Sequence, residues 1–98
     1  MASTLRFHPL VVEDLSRAID WYDERSHGLG DRFRAAVDVC LDAIAENPER
    51  FGKSYHDLRV ARLSRFPYVI TFRIRGEVVQ IAGVFHAASD PAKWRREL

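Results

Sequence analysis

The sequence predicts an α+β fold in one domain: an N-terminal strand, an antiparallel helical hairpin, a three-stranded antiparallel meander and a short C-terminal helix. Three observations predict it. Apolar residues recur at helical spacing in two stretches between Pro9 and Glu46. They alternate with a period of two between Arg59 and Phe85, and residues that favour turns separate the stretches. At 98 residues, halving the chain would leave two pieces too small to bury a core.

Ser3 to His8 sets Leu5 and Phe7 against Thr4 and Arg6, the alternation of a short strand. Pro9 suits the first turn of a helix, where its missing N–H costs nothing. From there to about Arg25, Val11, Leu15, Ala18, Ile19 and Tyr22 form one apolar face, and Glu13 and Asp14 sit in the early turns, where a negative charge meets the positive end of the helix dipole. Leu10 and Trp21 fall on a flank of their own: either they pack under the loop or against the second helix, or they leave an apolar groove open for a partner helix. Ser26–Gly30 breaks the first helix. A second carries Phe33, Ala36, Val37, Cys40, Leu41 and Ile44 on one face as far as Glu46, where Asn47-Pro48 stops it.

Pro48 to Asp57 reads as a loop. In the strand Arg59–Arg65, Ala61 and Leu63 share a face; in Val69–Arg75, Ile70, Phe72 and Ile74 do the same, with Phe66-Pro67-Tyr68 as the connecting turn. Arg75-Gly76-Glu77 is a tight hairpin with glycine for positive φ. Val78–Phe85 is apolar on both faces and is expected at the centre of the sheet. Pleat parity then turns Ala61, Leu63, Ile70, Phe72 and Ile74 toward the helices and places Arg62 and Arg73 together on the opposite, concave face. Asp90-Pro91 starts the terminal helix, the aspartate capping it.

The formal net charge of +1 hides an asymmetry: residues 1–50 carry six basic and ten acidic side chains, residues 51–98 nine and four. A basic half points to an anionic partner, and 13 of the 15 basic residues are arginine, suited to bidentate recognition of carboxylate or phosphate. The alternative is that these arginines lie along a solvated surface. The single Cys40 excludes an internal disulfide and a cysteine zinc site, and fits a reducing compartment. The histidines, 8, 27, 56 and 86, have no metal-ligand spacing, so neither metal nor cofactor is expected; His8 reads as a cap of the first helix. No apolar run approaches the ~20 residues of a membrane span, and Met1 to Arg6 does not begin a secretion signal. A cytoplasmic location and no membrane partner are expected.

The segment R-x-x-x-FPY-x-I-x-F-x-I (Arg62 to Ile74), followed by V-x-H-x₃-DP-x₂-W (Val84 to Trp94), in a chain ordered strand, helical hairpin, meander, resembles the RelE/ParE superfamily of toxins from type II toxin–antitoxin systems. The FPY and H-x₃-DP-x₂-W features resemble the ParE branch, whose characterised members poison DNA gyrase; Ala88-Ser89 stands where that branch commonly has arginine before the DP. The resemblance implies a gyrase inhibitor in plasmid or chromosome stabilisation, neutralised by a cognate antitoxin in a hetero-oligomer. Target contacts are expected at Arg62, Tyr68, Arg73, His86, Trp94 and Arg95. Antitoxin contacts are expected at Leu10 and Trp21 for a helical segment and along Arg59 to Arg65, with Arg59 and Arg65 themselves, for an extended one.

The alternative is the RelE branch, which cleaves mRNA on the ribosome by activating a ribose 2′-OH. That chemistry needs a proton acceptor, a donor and cations, and here Arg62, Arg73 and His86 are the candidates. The family's usual lysine cluster is reduced to Lys53 and Lys93, and no tyrosine follows Tyr68. A third reading is an inactive toxin fold kept as a partner-binding module. His86 is either such a base or a hydrogen-bonded structural residue, and Trp94 either packs the terminal helix on the sheet or meets a partner.

Overall fold

The computed structural model describes residues 2–97. Helix α1 (Val11–Arg25) and helix α2 (Leu29–Glu46) lie on one face of a five-stranded sheet. The strands are β1 (Thr4–Phe7), β2 (Lys53–Tyr55), β3 (Leu58–Arg62), β4 (Tyr68–Arg75) and β5 (Val78–His86), in the order β1-β5-β4-β3-β2.

Each helix buries the stripe its spacing dictates: Val11, Asp14, Ala18 and Tyr22 on α1, and Phe33, Val37, Cys40 and Ile44 on α2. Against them the sheet sets Ala61, Leu63, Ile70, Phe72, Val79 and Ile81. Parity thus orients β3 and β4 as the alternation predicts, and Gly76 makes the β4–β5 hairpin at φ 61. The Asp23 carboxylate receives the Gly30 N–H at 2.8 Å, so α1 supplies the cap that α2 lacks at its own start.

Several boundaries differ from expectation. α1 starts at Val11; Pro9 and Leu10 form a turn ahead of it, and the His8 ring accepts the Leu10 N–H at 3.0 Å. The loop after α2 contains a single 3₁₀ turn, Pro48–Arg50, and then the edge strand β2. β3 ends at Arg62, and the connection to β4 places Arg65 in the left-handed region at φ 71. The meander is therefore extended at both edges: β2 adds antiparallel to β3, and β1 pairs parallel with β5, from Thr4↔Val78 to Phe7↔Ile81. In place of a terminal helix there is one 3₁₀ turn, Pro91–Trp94, with Asp90 accepting the Ala92 N–H at 3.0 Å.

That turn closes the face of the sheet away from the helices. Trp94 is buried with Leu58, Val69 and Ala82, and its indole N–H donates to Ser89 Oγ at 3.0 Å. β5 is bulged on this face: Thr71 pairs with Gly83 and Phe72 with Ile81, so Ala82 is the extra residue. A Cβ on Gly83 would overlap the Phe85 ring and crowd the Arg96 guanidinium, so glycine here leaves room for that ring and for the arginine of the C-terminal segment.

Candidate functional site

β1 pairs with β5 only as far as Ile81, which leaves the edge of β5 from Ala82 to His86 without a neighbouring strand. Unpaired backbone groups there must find side chains, and they do. Asp14 accepts the Val84 N–H at 3.1 Å, and Arg96 donates to the Ala82 carbonyl at 3.1 Å. The two side chains also bind each other through two bonds, Nη1 to Oδ2 at 2.8 Å and Nη2 to Oδ1 at 3.2 Å. Asp14 is thus the buried half of an ion pair that ties α1, the β5 edge and the C-terminal segment together, and not a solvated first-turn charge.

Beside this pair runs a cleft of about 550 Å³ whose lining includes Arg17, Trp21, Tyr68, His86 and Lys93. Trp21 is 47% exposed, with the Arg25 guanidinium 3.4 Å above its ring centroid. Tyr68 and His86 meet with ring centroids 5.2 Å apart. Burial pushes the Tyr68 phenol above its ordinary value of 10.0, so it stays protonated at neutral pH. His86 Nδ1 accepts the Ala88 N–H at 3.0 Å, and its carbonyl receives the Ser89 hydroxyl at 2.6 Å. The imidazole therefore shapes the turn after β5 while His86 lines the cleft.

A larger groove, about 1000 Å³, lies on the other side of the molecule between α2 and the outer edge of β3. Ala36, Val39, Cys40 and Phe66 give it an apolar floor, and Arg32, Arg50, Arg62 and Arg65 rim it; among the described residues no acidic side chain lines it. Cys40 touches the Arg62 carbonyl at 3.9 Å, and burial pushes its thiol up to about 11, the Arg50 charge pulling the other way.

The expected concave face shared by Arg62 and Arg73 does not exist. Both side chains belong by register to the face away from the helices, but the chain's own C-terminal segment fills that face. Arg73 is 6% exposed beneath it, donating to the Arg96 carbonyl at 2.8 Å and pairing with Asp57 at 3.3 Å. Arg62 is exposed at the rim of the larger groove, and His86 borders the smaller one. The three side chains of the hydrolytic alternative are therefore not brought together.

Of the remaining predicted contacts, Trp94 is buried, and Arg95 lies 3.8 Å over the Tyr55 ring. Arg59 spends its guanidinium on the Phe51 and Glu49 carbonyls, at 2.6 and 3.2 Å, holding the 3₁₀ turn in place. Leu10, 40% exposed, precedes α1 and lines neither of these two clefts, whereas Trp21 lines the smaller one. The sequence gives Asp14 only a first-turn role in α1 and gives Arg17, Arg32, Arg50 and Arg96 none of their own. For Asp14 a signal existed: its spacing from Val11, Ala18 and Tyr22 puts a carboxylate on the buried stripe. Among the described residues, no group of three or more His, Cys, Asp or Glu side chains could hold a metal ion, and no helix is long and apolar enough to cross a membrane.

Comparison with known proteins gives this arrangement a lineage. The family described as ParE toxin of type II toxin–antitoxin system, parDE, matches residues 5–91. Among solved structures, the chromosomal ParDE toxin–antitoxin system from P. aeruginosa superimposes with a TM-score of 0.77 at 18% identity, over 87% of this chain and 96% of that one. A doubly arginine-substituted E. coli toxin RelE in the free state gives 0.69 at 17% identity, over 95% and 92%. The toxin–antitoxin complex RelBE2 from Mycobacterium tuberculosis gives 0.61 at 26% identity, over 88% and 99%. None of the curated proteins compared with the chain matches it. With two helices on a sheet whose first strand pairs parallel to the last, and with the family match spanning all but the ends of the sequence, the chain belongs to the ParE toxin family of type II toxin–antitoxin systems.

Proposed function

We propose that the protein acts by binding, as a toxin that inhibits DNA gyrase in the cytoplasm and is neutralised by a cognate antitoxin in a hetero-oligomeric complex. The observation that carries the choice of binding over hydrolysis is the dispersal of Arg62, Arg73 and His86. General acid–base catalysis on a ribose needs its donors and acceptors within hydrogen-bond reach of one substrate. Here one guanidinium is buried in an ion pair and the other two groups border different clefts. The target contact is assigned to the cleft beside β5, which Arg17, Tyr68, His86 and Lys93 line together with the exposed Trp21. Cations around a large, half-exposed aromatic make the kind of surface that anchors a macromolecular partner.

The test adds the purified protein to gyrase, ATP and relaxed plasmid, and in parallel to a cell-free translation reaction. Loss of supercoiling or accumulation of cleaved plasmid, with translation unaffected, is the expected result. Cleaved mRNA with normal supercoiling transfers the assignment to a ribosome-dependent endonuclease. Activity in neither assay, with no effect on growth when the protein is produced in cells, leaves an inactive partner-binding module. Arg17→Glu and Trp21→Ala, both at exposed helix positions, should each weaken gyrase inhibition by about tenfold or more if they are anchors.

A further inference from the structure

Arg17, Trp21 and Arg25 follow one another at intervals of four along α1 and are therefore neighbours on one helix face, a ring between two cations. All three are exposed. Arg25 Nη1 donates to the Trp21 carbonyl at 3.1 Å, which keeps its guanidinium stacked on the indole. Arg17 and Trp21 line the cleft beside β5 and Arg25 does not, so Arg25 backs the ring from outside. Lys93 joins the lining from the 3₁₀ turn Pro91–Trp94. The charge of this cleft is one-sided. The acidic residue in its lining, Asp14, is already bound to Arg96, whereas among the described residues Arg17, Arg25 and Lys93 are in no ion pair. Neutral side chains add donors: Tyr68 keeps its phenolic proton, and His86, whose Nδ1 accepts the Ala88 N–H, carries its ring proton on Nε2. At about 550 Å³ the cleft falls in the range of about 300–1,000 Å³ typical of small-molecule sites, so it admits one projecting group and not a whole helix.

We infer that this cleft binds single-stranded DNA, taking one unstacked nucleotide with its base against Trp21 and its flanking phosphates at Arg17 and Lys93. The inference rests on the target reading above and deepens it: gyrase opens DNA at a break, and an opened end frees bases that an intact duplex keeps stacked. Cations interleaved with an aromatic ring are what such a strand requires, because the phosphates follow the charges and any base can stack on the ring. A run of carboxylates answers the charges but leaves the indole without a flat partner. A duplex meets the cations with its bases still hidden. Only an unpaired nucleotide uses the ring, the donors and the uncompensated charge together.

The intact chain is titrated with a short single-stranded DNA oligonucleotide, with the same strand annealed to its complement, and with polyglutamate. Tryptophan emission is the readout; Trp94 is buried, so quenching by a stacked base reports Trp21. The single strand should quench it, with an affinity that falls with salt at a log–log slope of about −1.4, the value for two phosphate contacts on a single strand. Duplex and polyglutamate should leave the emission unchanged. Arg17→Gln and Lys93→Gln, both at exposed positions, should each reduce the slope by about 0.7. Trp21→Ala, followed through a labelled oligonucleotide, should weaken binding about tenfold or more. Polyglutamate that quenches as strongly as the single strand overturns the nucleotide in favour of an acidic protein segment. Equal affinity for duplex and single strand, or slopes unchanged in both variants, overturns the cleft in favour of a general basic surface. No binding of the single strand, while plasmid supercoiling is still inhibited, overturns this inference and leaves the target reading in place. Binding that depends on Arg17, Trp21 and Lys93, without any inhibition of gyrase, upholds the nucleotide and removes the target reading.

Discussion

The Asp14–Arg96 pair gives the sharpest thermodynamic test of how this molecule is held together. The Asp14 side chain is 5% exposed and that of Arg96 19%. Removing one partner of a buried pair costs about 3–5 kcal/mol, because the other charge stays desolvated and uncompensated. Arg96 keeps some contact with water, which favours the lower end. Asp14→Ala also orphans the Val84 N–H, and Arg96→Ala the Ala82 carbonyl, each worth about 1 kcal/mol. Each single variant should therefore lose about 3–4 kcal/mol. The double variant carries no stranded charge and should lose only about 4, a coupling of roughly 2–4 kcal/mol. Urea titrations followed by tryptophan fluorescence give the three values, and Trp94, two residues from Arg96, reports on the segment directly. Single losses below about 1 kcal/mol, or losses that add to within about 0.5 kcal/mol in the double variant, would show that the pair does not fasten the segment to α1.

Three further outcomes follow from other groups. Thr71 is fully buried and its hydroxyl has no hydrogen-bond partner among the described residues, so Thr71→Val should raise stability by about 1 kcal/mol in the same titration; a loss would point to a partner that the geometry misses. Burial raises the Cys40 thiol from 9.0 to about 11, so folding holds a proton that the unfolded chain releases. Stability from this group is complete below pH 9 and is lost as pH rises toward 11, by up to about 2 kcal/mol, and Cys40→Ala should flatten that part of the stability–pH curve. Asp57 is held below its ordinary 3.8 by a hydrogen bond from Arg75, with the Arg75 and Arg73 charges adding to it. Its contribution is present above that value and lost as pH falls through the lower one. Asp57→Asn should cost about 0.5–1 kcal/mol near neutrality, and acid thermal melts should show the difference from wild type closing.

What the sequence makes legible here is what local periodicity controls. Phe33, Val37, Cys40 and Ile44 announce their burial through spacing alone, and the Ile70, Phe72 and Ile74 alternation orients β4 correctly. What it hides depends on distant chain. Lys53–Tyr55 is too short to carry a pattern and is a strand only because the β3 edge lies beside it. Arg62 and Arg73 do share a face by parity, but parity is silent on what covers that face, and the segment that does so comes some twenty residues after Arg73 in the sequence. Asp14 is the instructive case. An acidic residue in a first helical turn has a ready solvated explanation, and its true role needed a partner 82 positions away.

The pairing of β1 with β5 has a kinetic consequence. Thr4 waits for Val78, so the first strand made is the last to find its place, and until then the flank of β5 opposite β4 stands open. Closing so long a loop pays its entropy before any contact rewards it, and topologies of this kind fold slowly. A newly made chain should therefore pass through a stage in which the hairpin of β4 and β5 is formed but unguarded. In that interval a second polypeptide bearing a free strand competes with β1 for the same edge, so the time the protein takes to mature is also the time during which it is easiest to capture.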